Sequence, residues 1–188
     1  MEGWKLGREE GLNMTLSRRG FIFLLSALPF APKSGLAQSL STSGDPNRLF
    51  DDIDRRVLGS LCEQIFPKDE FPGAIELGVP GFIERCLREG HADWTGIYRA
   101  GFRSTEASSR SVYAKEFLEL SFDEQTRLLE RVQTGDLPKT DWPLVSAKDF
   151  FRMFRDHTLQ GAYSHPKYGG NRNKAAWDMI GYYDFWLE

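Results

Sequence analysis

The fold of this chain is decided by residues 45–66, which read DPNRLFDDIDRRVLGSLCEQIF. Apolar side chains recur there about every four residues, and this spacing places them on one face of an α-helix. The face consists of Leu49, Ile53, Val57, Leu61 and Ile65, widened by Phe50 and Leu58. Asp45 is predicted as the N-cap, Pro46 as the first helical residue and Phe66 as the end, before Pro67.

The same pattern continues toward the C-terminus. Start and stop signals predict further helices from Val79 to Gly90, after Asp93, from the capping box at Ser121 to Gly135, and after Ser146. The polar stretch 104–111 is either exposed helix or a break. No window shows sustained strand alternation, and no internal repeat is present. The predicted fold is therefore all-α: one compact domain of about five or six helices, with an irregular C-terminal loop and an aromatic tail.

The N-terminal segment has the pattern of a twin-arginine export signal. Arg18 and Arg19 are followed by Phe21 and then by a short apolar run, residues 22–31, which is too short to span a bilayer. The alternative is a buried N-terminal helix that begins with two arginines. We expect residues 1–37 to be the signal peptide, residues 38–44 a polar linker and residues 45–188 the helical domain. Met14 is a candidate start, because the glutamates in residues 1–13 suit a signal peptide poorly.

Charge and composition narrow the range of partners. The formal net charge is −3, and the leader holds more basic than acidic residues, so the remaining domain is more acidic still. This argues against a nucleic-acid partner, because binding there requires clustered positive charge. The chain is rich in aromatic residues, with 14 Phe and 5 Trp. Such residues are common both in cores and at protein interfaces, and both readings stay open for the aromatic tail.

Cys62 and Cys86 are the only cysteines. An exported protein can form a disulfide between them, which would stabilise the fold by about 3 kcal/mol where the geometry allows it. Two buried free thiols and an intermolecular bridge are the alternatives. No Cys-x-x-Cys-His sequence is present, so no covalent haem is expected on this chain.

No motif in the sequence predicts a self-sufficient active site. The three histidines, His91, His157 and His165, have no neighbours at the spacing of a metal site, and no nucleophile elbow is present. Residues 169–171 lack the length and spacing of a phosphate-binding loop. We therefore expect no catalytic residue, no metal ligand and no cofactor-binding residue on this chain.

Two blocks of sequence resemble the gluconate 2-dehydrogenase subunit 3 family. The first family block, residues 66–83, contains Phe-Pro-Lys-Asp, Pro-Gly-Ala, Gly-Val-Pro and Phe-Ile in that order. The second family block, residues 165–181, contains the more specific string His165-Pro166-x-Tyr168-Gly169-Gly170-Asn171, followed by Trp177 and Ile180-Gly181. The resemblance spans roughly residues 47–183.

The resemblance implies a non-catalytic small subunit. In such complexes a large FAD-dependent subunit of the glucose–methanol–choline type oxidises a sugar or sugar acid. A multihaem cytochrome c commonly accepts the electrons at the outer face of the inner membrane. The small subunit binds the twin-arginine translocase through its signal and carries the large subunit into the periplasm. FAD and haem c then belong to partner subunits.

The role of the second family block stays open at this stage. Its residues, namely His165, Pro166, Tyr168, Gly169, Gly170, Asn171 and Trp177, either form a partner interface or fix a turn against the helices through hydrogen bonds to the backbone. Two other functions are alternatives to an accessory subunit: an independent periplasmic enzyme and a module that binds a small ligand. Both would use the loop from His165 to Asn173.

Overall fold

The computed structural model describes residues 49–90 and 92–182. These residues form six α-helices and no strand: α1 (Asp52–Ile65), α2 (Val79–Glu89), α3 (Thr95–Tyr113), α4 (Phe122–Thr134), α5 (Ala147–Tyr163) and α6 (Ala175–Met179). Short 3₁₀ turns lie between them, at Ala92–Trp94, Phe117–Glu119, Lys139–Asp141, Pro166–Tyr168 and Arg172–Lys174. The predicted all-α class and the predicted number of helices are confirmed.

Helix α1 begins later than the sequence predicts. Its N-cap is Asp51, whose Oδ1 accepts a hydrogen bond from the backbone N–H of Asp54 at 2.8 Å. Asp45 and Pro46 lie outside the described residues, but Phe50 is in a bend, so the helix does not extend back to them. Phe50 packs from this bend against the rings of Tyr98 and Phe102. Ile53 is not part of the buried face, because 66% of it is exposed.

Helix α5 is the centre of the fold and packs against α1, α2, α3 and α4. Phe150 and Phe154 on α5 are buried, and Phe150 packs against Tyr98 on α3. Gly101 of α3 lies directly under the Phe150 ring, and a β-carbon at this glycine would overlap the ring. The absence of a side chain at this position therefore lets α3 and α5 approach each other closely.

The polar stretch 104–111 is continuous helix with one face buried, and it is neither a fully exposed helix nor a break. Its inward side chains are small and hydrogen bonded: Thr105 Oγ1 donates to the Gly101 carbonyl at 2.9 Å, and Ser109 Oγ donates to the Lys115 carbonyl at 2.8 Å. Ser108 Oγ accepts a hydrogen bond from Trp142 Nε1 at 3.0 Å. These partners offset the cost of burying hydroxyl groups, which is why a polar sequence can pack in the core.

The predicted ends of the other helices are mostly confirmed. Ser121 and Glu124 form the capping box of α4, which stops before Gly135 in the left-handed conformation. The side chain of Ser146 caps α5. In the part of the chain that the structure describes, no helix has the length and apolar character that a membrane span requires.

Candidate functional site

The two blocks singled out in the sequence lie against each other at one end of the helical domain. The backbone N–H of Arg172 donates to the Leu77 carbonyl at 3.2 Å, which joins the loop after α5 to the loop after α1. Gly78, at φ 81°, leaves so little room that a β-carbon there would lie 2.9 Å from the Gly169 carbonyl oxygen. Segments about 90 residues apart in sequence therefore build one surface.

The first block is held by a carboxylate that the sequence analysis did not single out. Glu63, in the last turn of α1, accepts the backbone N–H of Lys68 through Oε1 and that of Ile75 through Oε2, both at 3.0 Å. Gly73 passes so close to this carboxylate that a β-carbon would overlap it. A carboxylate one turn before a Pro-containing loop is the only sequence signal for this role, and it is a weak one.

The second block folds into two consecutive tight turns. His165 caps the first, because its Nδ1 accepts the backbone N–H of Lys167 at 3.1 Å. Pro166 is the first residue of this 3₁₀ turn, and Gly169 closes it at φ 96°. Asn171 opens the second turn at φ 44°, is fully buried, and accepts the Ala176 N–H through Oδ1 at 3.0 Å. The string His-Pro-x-Tyr-Gly-Gly-Asn thus specifies local backbone geometry.

Trp177 ties this loop to α5 and supports a row of rings. Its Nε1 donates to the Tyr163 carbonyl at 2.9 Å, and its own ring is buried. The His165 ring lies edge-on to Trp177 at 5.6 Å and to Tyr168 at 6.5 Å, and the Tyr182 ring packs edge-on against Trp177 at 5.1 Å. The two ends of the row face solvent: Tyr168 is 51% exposed and Tyr182 is 50% exposed.

A model of the family described as "Gluconate 2-dehydrogenase subunit 3" matches residues 52–184, which include α1 to α6 and both blocks. The chain belongs to the gluconate 2-dehydrogenase subunit 3 family. Membership in a family of subunits implies a multi-subunit complex. A search of curated proteins and a search of solved structures each found no significant match.

Two lysine side chains of this subunit 3 chain lie beside rings of this row. Lys167 Nζ lies 5.0 Å from the centre of the Tyr168 ring, and Lys174 Nζ lies 5.9 Å from that of Trp177. We call the surface formed by Lys167, Tyr168, Arg172, Lys174 and Tyr182 the C-terminal face. Arg85 of α2 borders it, because its Nη1 donates to the Lys167 carbonyl at 3.3 Å.

The first family block borders a second surface feature, a groove along the outer side of α1. It has a volume of about 480 Å³ and a mostly apolar lining. Ile75 and Phe122 line it and are both about half exposed. Gly59 lies on the α1 side of the groove, and the Ile75 side chain passes 3.7 Å from the position of its missing β-carbon.

Both cysteines of this subunit 3 chain are free thiols in the structure, so the intramolecular disulfide is not formed there. Cys62 is buried in α1 and accepts a hydrogen bond from Thr158 Oγ1 at 3.8 Å. Burial raises the pKa of Cys62 to about 12, although the Thr158 hydrogen bond opposes this rise. Cys86 on α2 is partly exposed, and its pKa is raised by partial burial and by Glu89.

The remaining residues singled out in the sequence are the export-signal residues and two histidines. Arg18, Arg19, Phe21 and His91 lie outside the described residues. His157 is partly buried, stacks on Trp94 at 5.0 Å, and has its Nδ1 2.8 Å from the Tyr98 hydroxyl. Within residues 49–90 and 92–182, no three His, Cys, Asp or Glu side chains are grouped so that they could hold a metal ion.

Proposed function

We propose that this chain is the non-catalytic small subunit of a periplasmic, FAD-dependent dehydrogenase complex that oxidises a sugar or sugar acid. It acts by binding: it stabilises a large subunit of the glucose–methanol–choline type and carries it through twin-arginine export. FAD is held by that large subunit, and haem c by a cytochrome subunit that takes the electrons to the membrane. Membership of the subunit 3 family is the first support for this role.

The observation that carries the proposal is the pair of exposed tyrosines on a rigid support. Tyr168 and Tyr182 present large aromatic surfaces to solvent, while Trp177 and Asn171 beneath them are buried and hydrogen bonded. Exposed aromatic side chains on a fixed backbone favour association, because little conformational freedom remains to be lost on binding. The apolar groove beside α1 adds exposed surface of the kind that interface cores contain.

The position of His165 supports a structural role over a catalytic one. Its Nδ1 accepts a backbone hydrogen bond within its own turn, and its ring packs against Trp177. A general base must reach a substrate proton with its free lone pair. Because Nδ1 is already an acceptor in the turn, a neutral His165 carries its proton on Nε2 and has no lone pair left to act as a base.

Export provides the test of the escort role. The double substitution Arg18→Lys/Arg19→Lys keeps the positive charge but removes the arginine pair that the export receptor reads. We expect both subunits, and with them the dehydrogenase activity of the large subunit, to stay in the cytoplasm. Lys33→Arg, a conservative change in the same leader, is the matched control and should leave export intact. Export of the dehydrogenase at the wild-type level by the double variant would contradict the escort role.

A further inference from the structure

Positive charge is concentrated in the segment that forms the C-terminal face. Between Asp156 and Asp178 the sequence has Lys167, Arg172 and Lys174 and no acidic residue. The chain as a whole has a net charge of −3, so this positively charged stretch has the opposite sign to the chain. The fold adds Arg85, whose guanidinium lies at the Lys167 carbonyl.

The three cations of this segment have no ion pair within 4.0 Å among the residues that the structure describes. Elsewhere many basic side chains are paired, as Lys115 is with Glu124 at 3.1 Å and Arg152 with Asp149 at 2.7 Å. On the C-terminal face the lysines lie instead beside aromatic rings. Their charges are therefore available to an anionic group from outside the chain.

The backbone that presents these charges is fixed in an uncommon conformation. Asn171, Asn173 and Lys174 all have positive φ, at 44°, 58° and 59°. Such conformations cost free energy and persist where the surroundings enforce them. Here the surroundings are the contact of Gly170 with the Gly161 carbonyl and the hydrogen bond from Ala176 to Asn171. The backbone that carries Arg172 and Lys174 is thus fixed before any partner binds.

We propose that the C-terminal face binds an acidic patch on the large flavin-containing subunit. This inference rests on the proposed function and names the chemistry of the partner surface. Lys167, Arg172 and Lys174 pair with carboxylates of that patch, while Tyr168 and Tyr182 bury their rings against its apolar part. Complementary charge of this kind speeds encounter and fixes the orientation of two partners.

An anionic membrane surface is the competing source of negative charge. Polybasic membrane segments use about four to eight Lys or Arg residues, each contributing about 1 kcal/mol. The C-terminal face has three, with Arg85 at its border, and both Glu89 and Asp178 lie close in sequence to these residues. That number of charges is small for a membrane, whereas exposed tyrosines beside cations on a fixed backbone suit a folded protein surface.

The test is a charge reversal with a matched control. The variant is Lys167→Glu/Lys174→Glu, and the control is Arg127→Glu/Lys139→Glu, which makes the same change of charge at exposed positions away from the face. The probe is the flavin-containing large subunit that co-purifies with the tagged chain from its native host. Its Kd for the purified chain is measured at low and high salt, and unfolding curves establish that both variants fold.

We expect the Kd to rise at least about tenfold for the face variant and to change no more than about twofold for the control. Wild-type binding should weaken with salt, and binding of the face variant much less so. Equal affinity of both variants would overturn this inference and leave the proposed function standing. Failure of the wild-type chain to bind any flavoprotein would instead overturn the proposed function.

Membrane binding is measured in parallel with phosphatidylglycerol vesicles as the probe. The neutral variant Lys167→Gln/Lys174→Gln gives a second, milder change that does not introduce repulsion. An intermediate loss of affinity for the large subunit, with no binding to vesicles, would support the inference. Vesicle binding lost in both face variants, with unchanged affinity for the large subunit, would assign the face to the membrane and overturn it.

Discussion

Gly170 lies directly against the backbone carbonyl of Gly161, and no β-carbon fits between the two residues. Gly161 is in the last turn of α5, where Phe82 and Val79 of α2 also approach it closely. The two glycines therefore let the backbone of the second family block lie against α5, and let the Phe82 and Val79 side chains of α2 pack directly on α5. This contact determines where the C-terminal face lies relative to the helices.

Gly170→Ala should destabilise the protein by about 1–3 kcal/mol, because the new methyl group must displace the Gly161 carbonyl or the loop itself. Urea unfolding measures this loss. Gly81→Ala is the matched control: no atom lies within 4 Å of its added β-carbon, so its effect should be within about 1 kcal/mol of zero. Equal stabilities of the two variants would contradict the close contact between Gly170 and the Gly161 carbonyl.

Ser108→Ala tests the buried polar helix. The substitution removes the acceptor of the Trp142 indole N–H and leaves that donor buried without a partner. The expected loss in the free energy of unfolding is about 1–3 kcal/mol. Ser111→Ala, at an exposed position of the same helix, should change stability by no more than about 0.5 kcal/mol. If Ser108→Ala leaves the free energy of unfolding unchanged, the hydrogen bond to Trp142 does not contribute to stability.

A helix end can be predicted from the sequence when the residues that form its cap are close together in the chain. The capping box of α4 and the serine cap of α5 are confirmed, because each is a short-range interaction between residues three apart. The predicted start of α1 is wrong: Asp45 is the expected N-cap, and Asp51 is the N-cap in the structure. The packing of Phe50 against Tyr98 favours the later one, and that contact spans 48 residues.

The candidate site was predictable only in part. The turn formers of the second family block predict a tight loop, and the loop is there. Its docking onto the first block depends on the Arg172–Leu77 hydrogen bond and on the space at Gly78. These are long-range contacts that no local pattern encodes. The same holds for 104–111, whose burial depends on a tryptophan more than thirty residues away.

Thiol labelling distinguishes two free cysteines from an intramolecular disulfide. In the native protein Cys86 should react slowly with a thiol reagent, because it is partly exposed and its pKa is raised. Cys62 should not react until the protein unfolds, since it is buried and its pKa is about 12. Mass spectrometry counts one label before unfolding and two after. No label before reduction and two after it, in a monomer, would contradict the free thiols.

Because of Glu124, the free energy of unfolding should depend on pH in the acidic range. The hydrogen bond from the Ser121 backbone, followed by Lys115, lowers the pKa of its carboxyl below 4.5 in the folded protein. Its stabilisation is therefore complete above pH 4.5 and is lost as the pH falls through the lower, folded-state pKa. Glu124→Gln keeps an acceptor but removes the charge.

The stability of Glu124→Gln should be lower than that of the wild type at neutral pH, and the two should converge in acid. Thermal unfolding across the acidic range measures the convergence. Glu130→Gln, exposed on the same helix, is the control and should retain the wild-type pH dependence. A constant difference between Glu124→Gln and the wild type at every pH would contradict the role of the ionised carboxylate.

Co-purification from the native host tests the central claim most directly. The chain, tagged at its C-terminus, is isolated from periplasm and membranes, and its partners are identified by mass and by visible spectrum. The account predicts a stoichiometric large subunit with flavin absorbance and dehydrogenase activity on a sugar or sugar acid. A colourless monomer without a stoichiometric partner would contradict it.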